Sequence, residues 1–361
     1  MGLFARSALR LIALHVFIAT IAGVALYLVI DLVEVGNVAA EKSGGALLAQ
    51  LTLWNLPRVL RSMLPVAAPL GTLTAIAALV RRREIEATLA AGASPLLGAL
   101  PVLCAGCAIA LIHAANVEWL VPASATEVGA LRKRLGLGSG PLEVYGKRQT
   151  WFQGKELVYR VSRLADARGE SLEDVLVLRI DGGRLVERWD LAALSRIDNR
   201  WVGRGVVHHT LGDTLITTRT ASAVMPVRET PNDFVLSVAP PERLGTGELI
   251  RTAETRERIG RPSPVHWTEV GRRFSLPIGL ALSMLLSSAL ALRLGRRVSL
   301  ARALGVGSAI GLLCWFLGDL SALLGASGAV SPWTSTLVAP LLVLAGLGAA
   351  ARAVMRRGVG D

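Results

Sequence analysis

Arg81-Arg82-Arg83-Glu84-Ile85-Glu86-Ala87-Thr88-Leu89-Ala90-Ala91-Gly92-Ala93-Ser94-Pro95 is a short polar stretch between two long apolar runs. Three consecutive arginines cannot rest in hydrocarbon, so they hold one end of their spans at the cytoplasmic face by the positive-inside rule. The residues after them read as a helix. Glu84 and Glu86 fall in its first turn, where acids complement the helix dipole. Ile85 and Leu89 share a face, Gly92 after Ala91 is a natural stop, and Pro95 follows. Such a helix is either a plain connection or a handle for a cytoplasmic partner.

Outward from this stretch the chain is mostly apolar: 52% of its 361 residues are hydrophobic and the mean hydropathy is +0.50. That exceeds an ordinary soluble protein and calls for several spans. Runs near 9–33, 57–80, 96–121, 270–292, 300–324 and 333–352 are each long enough to cross about 30 Å of hydrocarbon. Arginines mark one set of ends: Arg6 and Arg10, Arg81 to Arg83, Arg293 with Arg296, Arg297 and Arg302, then Arg352, Arg356 and Arg357. Both termini are therefore expected in the cytoplasm. The central residues then lie on the far side, with three spans before them and three after. Trp54, Trp119, Trp267 and Trp333 fall at the opposite ends of four spans, where indoles anchor at the interface. The first run is longer than a signal-peptide core and ends in Asp31 and Glu34, so it is expected to stay as a span.

The same distribution accounts for the net charge of +12. Arginines flanking spans explain much of it, and no nucleic-acid partner is expected. With three cysteines there is no disulfide framework, and Cys104 and Cys107 read as small hydrophobes inside a span.

The expected layout is 1–121, with three spans and the polar helix over 83–92; 122–269, the external domain with its linkers; and 270–361, three more spans. Residues 143–238 break into short alternating runs. Leu157, Tyr159 and Val161 alternate with their neighbours, 174–180 and 213–218 follow, and Asp181-Gly182-Gly183 and Asp198-Asn199 read as turns. That pattern predicts a sandwich, jelly roll or open barrel. Residues 242–266 read as a polar helix and linker. His208-His209 is a poor metal site because adjacent strand residues point to opposite faces. Gly140 to Lys147 has the wrong spacing for a phosphate loop, and Arg148 stands where a hydroxyl is required.

Polar residues within or beside the spans are the remaining candidates. Asp319 reads either as a functional intramembrane acid or as one satisfied by a neighbouring helix. Arg58 and Arg61 open the second span from outside and fit an anionic headgroup or phosphate, or simple snorkelling. Asp31 closes the first span near the outer face. His15 and His113 read as satisfied bundle residues before proton relays.

In the arrangement of its motifs the chain resembles the LptF/LptG family of lipopolysaccharide-export permeases. Leu56-Pro57-Arg58 followed by Pro65-Val66-Ala67-Ala68-Pro69-Leu70-Gly71 resembles the start of the family's second span. Glu84 through Ala91-Gly92-Ala93-Ser94 resembles its cytoplasmic helix, and Asn116-Val117-Glu118-Trp119-Leu120-Val121-Pro122 its exit from the third span. Glu269, Arg273 and Pro277 resemble its entry to the fourth. Pro57-Arg58, Asp31, Asp319 and Trp151-Phe152-Gln153-Gly154 look more like LptG than LptF. Leu28 stands where some LptG proteins carry lysine, which removes one expected lipid contact.

The resemblance implies a polytopic α-helical membrane protein with six spans and an all-β, jellyroll-like periplasmic domain between the third and fourth. It implies an inner-membrane transporter subunit without catalysis of its own. Its partners would be a paralogous LptF-like permease, a cytoplasmic LptB-like ATPase dimer and a periplasmic LptC/LptA-like bridge. This chain would bind no cofactor, ATP-Mg belonging to the ATPase. Glu84, Ile85, Glu86, Leu89, Ala91 and Gly92 would dock on that ATPase, and Asp31, Arg58, Arg61 and Asp319 would meet the lipid. Tyr159, Val161, Val175 and Val177 would line the groove of the β-domain. The other reading is a mechanotransmission protein, which relays ATPase motion without passing lipid. Those proteins usually carry their large domain after the first span, not the third.

Overall fold

The computed structural model describes residues 3–39, 45–92, 96–134, 150–153, 157–165, 169–181, 184–211, 215–231, 234, 241–258, 262–295 and 298–357. Gly140 to Lys147, Ala93 to Pro95 and the glycines 182 and 183 lie outside them. The described residues divide into two compact units, one of 1–37, 52–124 and 264–361, the other of 38–51 and 125–263.

The first unit is helical. Among the described residues six helices are long and apolar enough to cross a membrane. They are α1 (Leu3–Ala39), α2 (Gly45–Arg81), the pair α4 (Leu96–Ala115) and α5 (Val121–Arg134), then α7 (Pro264–Leu294), α8 (Leu300–Ala326) and α9 (Pro332–Arg357). A short α3 (Glu84–Ala90) follows α2; α6 (Thr246–Arg258), which precedes α7 in sequence, belongs to the second unit.

Between α4 and α5 lies a π-helical turn, Asn116–Leu120. Its cause is Pro122, which has no N–H for the carbonyl four residues back, that of Glu118. A register of five residues offers the N–H of Ala123 instead, so the helix continues where a third span ending near 121 was expected.

The core of this unit collects Ile12, Leu73, Leu79, Val102 and Met284, all nearly or fully buried. Gly307 and Gly311, one turn apart on α8, let α2 approach closely. A Cβ at Gly311 would stand 2.6 Å from the Val66 carbonyl oxygen, and one at Gly307 would stand 3.0 Å from the Leu70 Cα.

The second unit holds a six-stranded antiparallel sheet: β1 (Thr150–Gln153), β2 (Leu157–Leu164), β3 (Ser171–Asp181), β4 (Arg184–Ile197), β5 (Arg200–Leu211) and β6 (Leu215–Val224). Each strand pairs with its neighbour in sequence. A jelly roll proper interleaves its strands through crossovers; the described strands run up and down. The turn expected at Asp198-Asn199 is a two-residue hairpin closed by the pair Ile197↔Arg200, and Asp181 pairs with Arg184 on either side of the other expected turn. Asp198 and Asn199 take φ of 48° and 63°, the left-handed pair that the tight hairpin turn demands.

A lone sheet cannot cover its own apolar face, and this one is creased. The inward residues change parity at one level in three strands. They are Leu172 then Val175 and Val177 in β3, Trp189 and Leu191 then Leu194 in β4, and Trp201 then Val206 in β5. The crossing line runs through Asp174 (φ 49°), Ala192 and Gly205 (φ 62°), which stand opposite one another by register. Ser162 Oγ donates to Asp174 Oδ2 at 2.6 Å and continues the line into β2. Left-handed residues at a shared level bend strands together, and residues on both sides of the crease join one core.

Candidate functional site

The polar site of the helical unit begins with Pro65. A proline at this position leaves the carbonyl of Arg61 without its helical donor four residues on. His113 on α4 stands in: its Nε2 lies 3.2 Å from that oxygen. Since the carbonyl only accepts, Nε2 carries the hydrogen and the tautomer is set. One turn further, Asn116 Nδ2 donates to the Pro57 carbonyl at 2.9 Å. Two side chains of the third span thus hold the backbone of the second, while the buried Nδ1 of His113 has no hydrogen-bond partner among the described residues.

The Arg61 side chain is committed as well. Its Nη2 donates to Glu269 Oε1 at 2.8 Å, and both side chains are about nine-tenths buried, at 10% and 7% exposure. Arg273 Nε lies 3.7 Å from the same oxygen of Glu269, and Arg273 Nη1 donates to Glu118 Oε2 at 3.0 Å. Arg272 pairs with Asp319 of α8. Three guanidiniums and three carboxylates therefore balance across α2, the third span, α7 and α8. A buried charge in a membrane protein persists only when it is compensated in this way. Trp119 and Trp267 are sequence neighbours of the acids Glu118 and Glu269, which sets the cluster near the interfacial tryptophans; Trp267 packs against Trp333 with ring centroids 6.1 Å apart.

The structure thus separates the residues proposed for lipid contact. Arg58 is exposed and Arg61 is an ion-pair member. Asp319 is satisfied by Arg272 from the adjacent helix. Asp31 falls within α1, and its side chain lies outside those described. Sequence reasoning left out Arg272 as a site residue and treated Glu118, Glu269 and Arg273 only as motif letters. The available signal was that acids and arginines occur together at the same ends of several spans, with a proline four residues after Arg61.

At the opposite end, Arg83 adopts φ 59° and breaks α2 from α3. The helix runs Glu84–Ala90, and Gly92 at φ 83° closes it, its N–H donating to the Leu89 carbonyl at 2.9 Å. Glu84, Glu86 and Leu89 are half-buried, whereas Ala91 and Gly92 are exposed. Ile85 packs on the apolar core of the spans. This packed side chain joins α3 to the bundle.

In the sheet unit Tyr159, Val161, Val175 and Val177 share the inward face and are all buried. The segment after β6 covers them. Met225 and Phe234 belong to the same core, and Phe234 meets Tyr159 and Trp201 edge-on at 5.3 and 5.2 Å. Glu229 accepts from the Tyr159 hydroxyl, and its backbone carbonyl accepts from Trp201 Nε1 at 2.8 Å. His208 stacks on Trp189, while His209 bonds Thr217 on the other face.

A family model described as "Lipopolysaccharide export system permease LptF/LptG" matches residues 6–352. The chain belongs to that family. No curated protein matched it in a sequence comparison. An LptF/LptG permease is the membrane component of lipopolysaccharide export, and six apolar helices with an inserted β-sheet suit a multi-pass membrane protein of that kind. For this LptF/LptG member the candidate geometry is split. One part is a charge-balanced cluster among four spans, another a short helix keyed into the bundle, and the third a β-domain with a filled apolar interior.

Proposed function

We propose that this chain is the permease subunit of an ATP-driven transporter that draws lipopolysaccharide from the inner membrane and passes it to a periplasmic bridge. Its termini and α3 face the cytoplasm, and the β-domain faces the periplasm. A paralogous LptF-like permease completes the heterodimer, an LptB-like ATPase dimer supplies hydrolysis of ATP-Mg, and an LptC/LptA-like protein receives the lipid. Within the pair the motifs favour the LptG role. Arg58 is the cation for a headgroup phosphate, and the inward face of the sheet carries the acyl chains.

The observation that carries the reading is Ile85. An amphipathic helix between spans is mechanically useful only if it grips them, and Ile85 is packed against the span core while Ala91 and Gly92 remain open to a partner. Domain closure in the ATPase then has a rigid path into α2 and α4. The test is co-expression with the second permease and the ATPase in proteoliposomes, reading ATP-dependent transfer of lipopolysaccharide to an acceptor bridge. ATPase turnover that moves the β-domain without any lipid transfer would favour pure relay of motion.

A further inference from the structure

We infer that residues 225–231, with Phe234, form a displaceable plug, a strap that fills the acyl-chain path of the β-domain in the lipid-free state and is latched by Glu229 on Tyr159. The inference deepens the proposed function and rests on its reading of the sheet interior as the acyl-chain path. The strap leaves β6 as a continuation of the ladder, with Met225 N–H donating to the Trp201 carbonyl at 2.8 Å. It carries Met225 and Val227 onto the inward face, where Phe234 is fully buried between Tyr159 and Trp201. One aromatic ring and two aliphatic side chains occupy the space over the strands whose residues were expected to touch lipid.

The chemistry of the fastening separates a plug from a permanent core. Glu229 is 6% exposed yet lies in an apolar interior, held by the Tyr159 hydroxyl, the Arg228 N–H at 3.2 Å and, through its carbonyl, Trp201. A permanent seal is served as well or better by apolar residues of the same volume. A carboxylate regains full hydration when the strap lifts, so the open state is not penalised by leaving it exposed. Pro226 and Pro231 flank the latch and withhold backbone donors from the sheet. The strap is thereby kept from extending β6 as a further strand. An incoming acyl chain takes the place of Phe234 against the strands, so their apolar face stays covered when the ring leaves.

The experiment uses the complete transporter in membranes, with benzoylphenylalanine in place of Trp189 as a size-matched photoreactive group on the inward face. Lipopolysaccharide adducts are measured without ATP. Tyr159→Phe keeps the ring and removes the latch, and Glu229→Gln removes the charge. Either is expected to raise the adduct about tenfold, the worth of one hydrogen bond to a charged group. Phe234→Ala empties the interior while keeping both hydrogen-bonding partners of the latch, Tyr159 and Glu229. It is expected to do the same, and it decides the matter if a latch variant fails to fold by Trp201 fluorescence. Equal adducts in parent and all variants would overturn the plug while leaving the acyl path intact. Complete absence of adducts at this face, with ATP and with export proceeding, would overturn both.

Discussion

Arg61 of α2 and Glu269 of α7 are joined by a 2.8 Å ion pair, 208 residues apart in sequence and buried among the spans. Glu269 also faces Arg273, so one carboxylate compensates two guanidiniums. Removing it takes away the carboxylate that Arg61 faces and leaves Arg273 to Glu118, in a medium of low dielectric. Glu269→Ala is therefore expected to destabilise the helical unit by about 3–5 kcal/mol. Thermal unfolding of the detergent-solubilised protein measures this. A second variant, Arg61→Met with Glu269→Leu, should recover part of the loss, since it removes a charge of each sign.

Arg58 and Arg61 separate under the same substitution. Arg58→Glu alters an exposed side chain, so the unfolding temperature should hold while crosslinking of lipid at that end of α2 falls. Arg61→Glu should unfold the protein earlier by opposing Glu269 directly. Unchanged lipid crosslinking in Arg58→Glu would leave snorkelling as its role.

His113→Leu strips the Arg61 carbonyl of the donor that replaces the one Pro65 lacks, at an expected cost of about 1–3 kcal/mol. Adding Pro65→Ala returns a backbone N–H to α2. The double variant should then be more stable than His113→Leu alone. Non-rescue would mean that the histidine acts through packing instead.

Gly311→Leu forces α8 away from the Val66 backbone and should cost about 1–3 kcal/mol. A Cβ at Gly318 meets nothing within 4 Å, so Gly318→Ala is the neutral control. Both are read as shifts in the unfolding temperature.

On α3 the two functions divide between residues. Glu84→Lys should lower co-purification of the ATPase, because it reverses charge on the proposed docking face. Ile85→Ala should leave binding intact and weaken lipid-stimulated ATP hydrolysis, because the grip on the span core is lost. Equal loss of binding in both would merge docking and coupling into one surface.

The six spans, the α3 stop at Gly92 and the hairpin at Asp198-Asn199 were legible from sequence because each depends on local chemistry. An apolar run must be as long as the hydrocarbon is thick, a glycine accepts a left-handed turn at no steric cost, and aspartate and asparagine tolerate one. Non-local pairings were not legible. Nothing adjacent to Arg61 announces Glu269, and whether Arg58 or Arg61 remains exposed depends on where α7 crosses α2. The strand faces were hidden for the same reason. Strict alternation extends one parity through β3, but the left-handed turn at Asp174 shifts it, and only register with Ala192 and Gly205 makes that shift a crease across the sheet. The sequence by itself determined where the chain crosses the membrane and where it turns, since transfer of each segment and each turn is decided residue by residue. The tertiary structure alone decided which charges neutralise one another and what fills the β-domain, because those energies exist only between segments far apart in the chain.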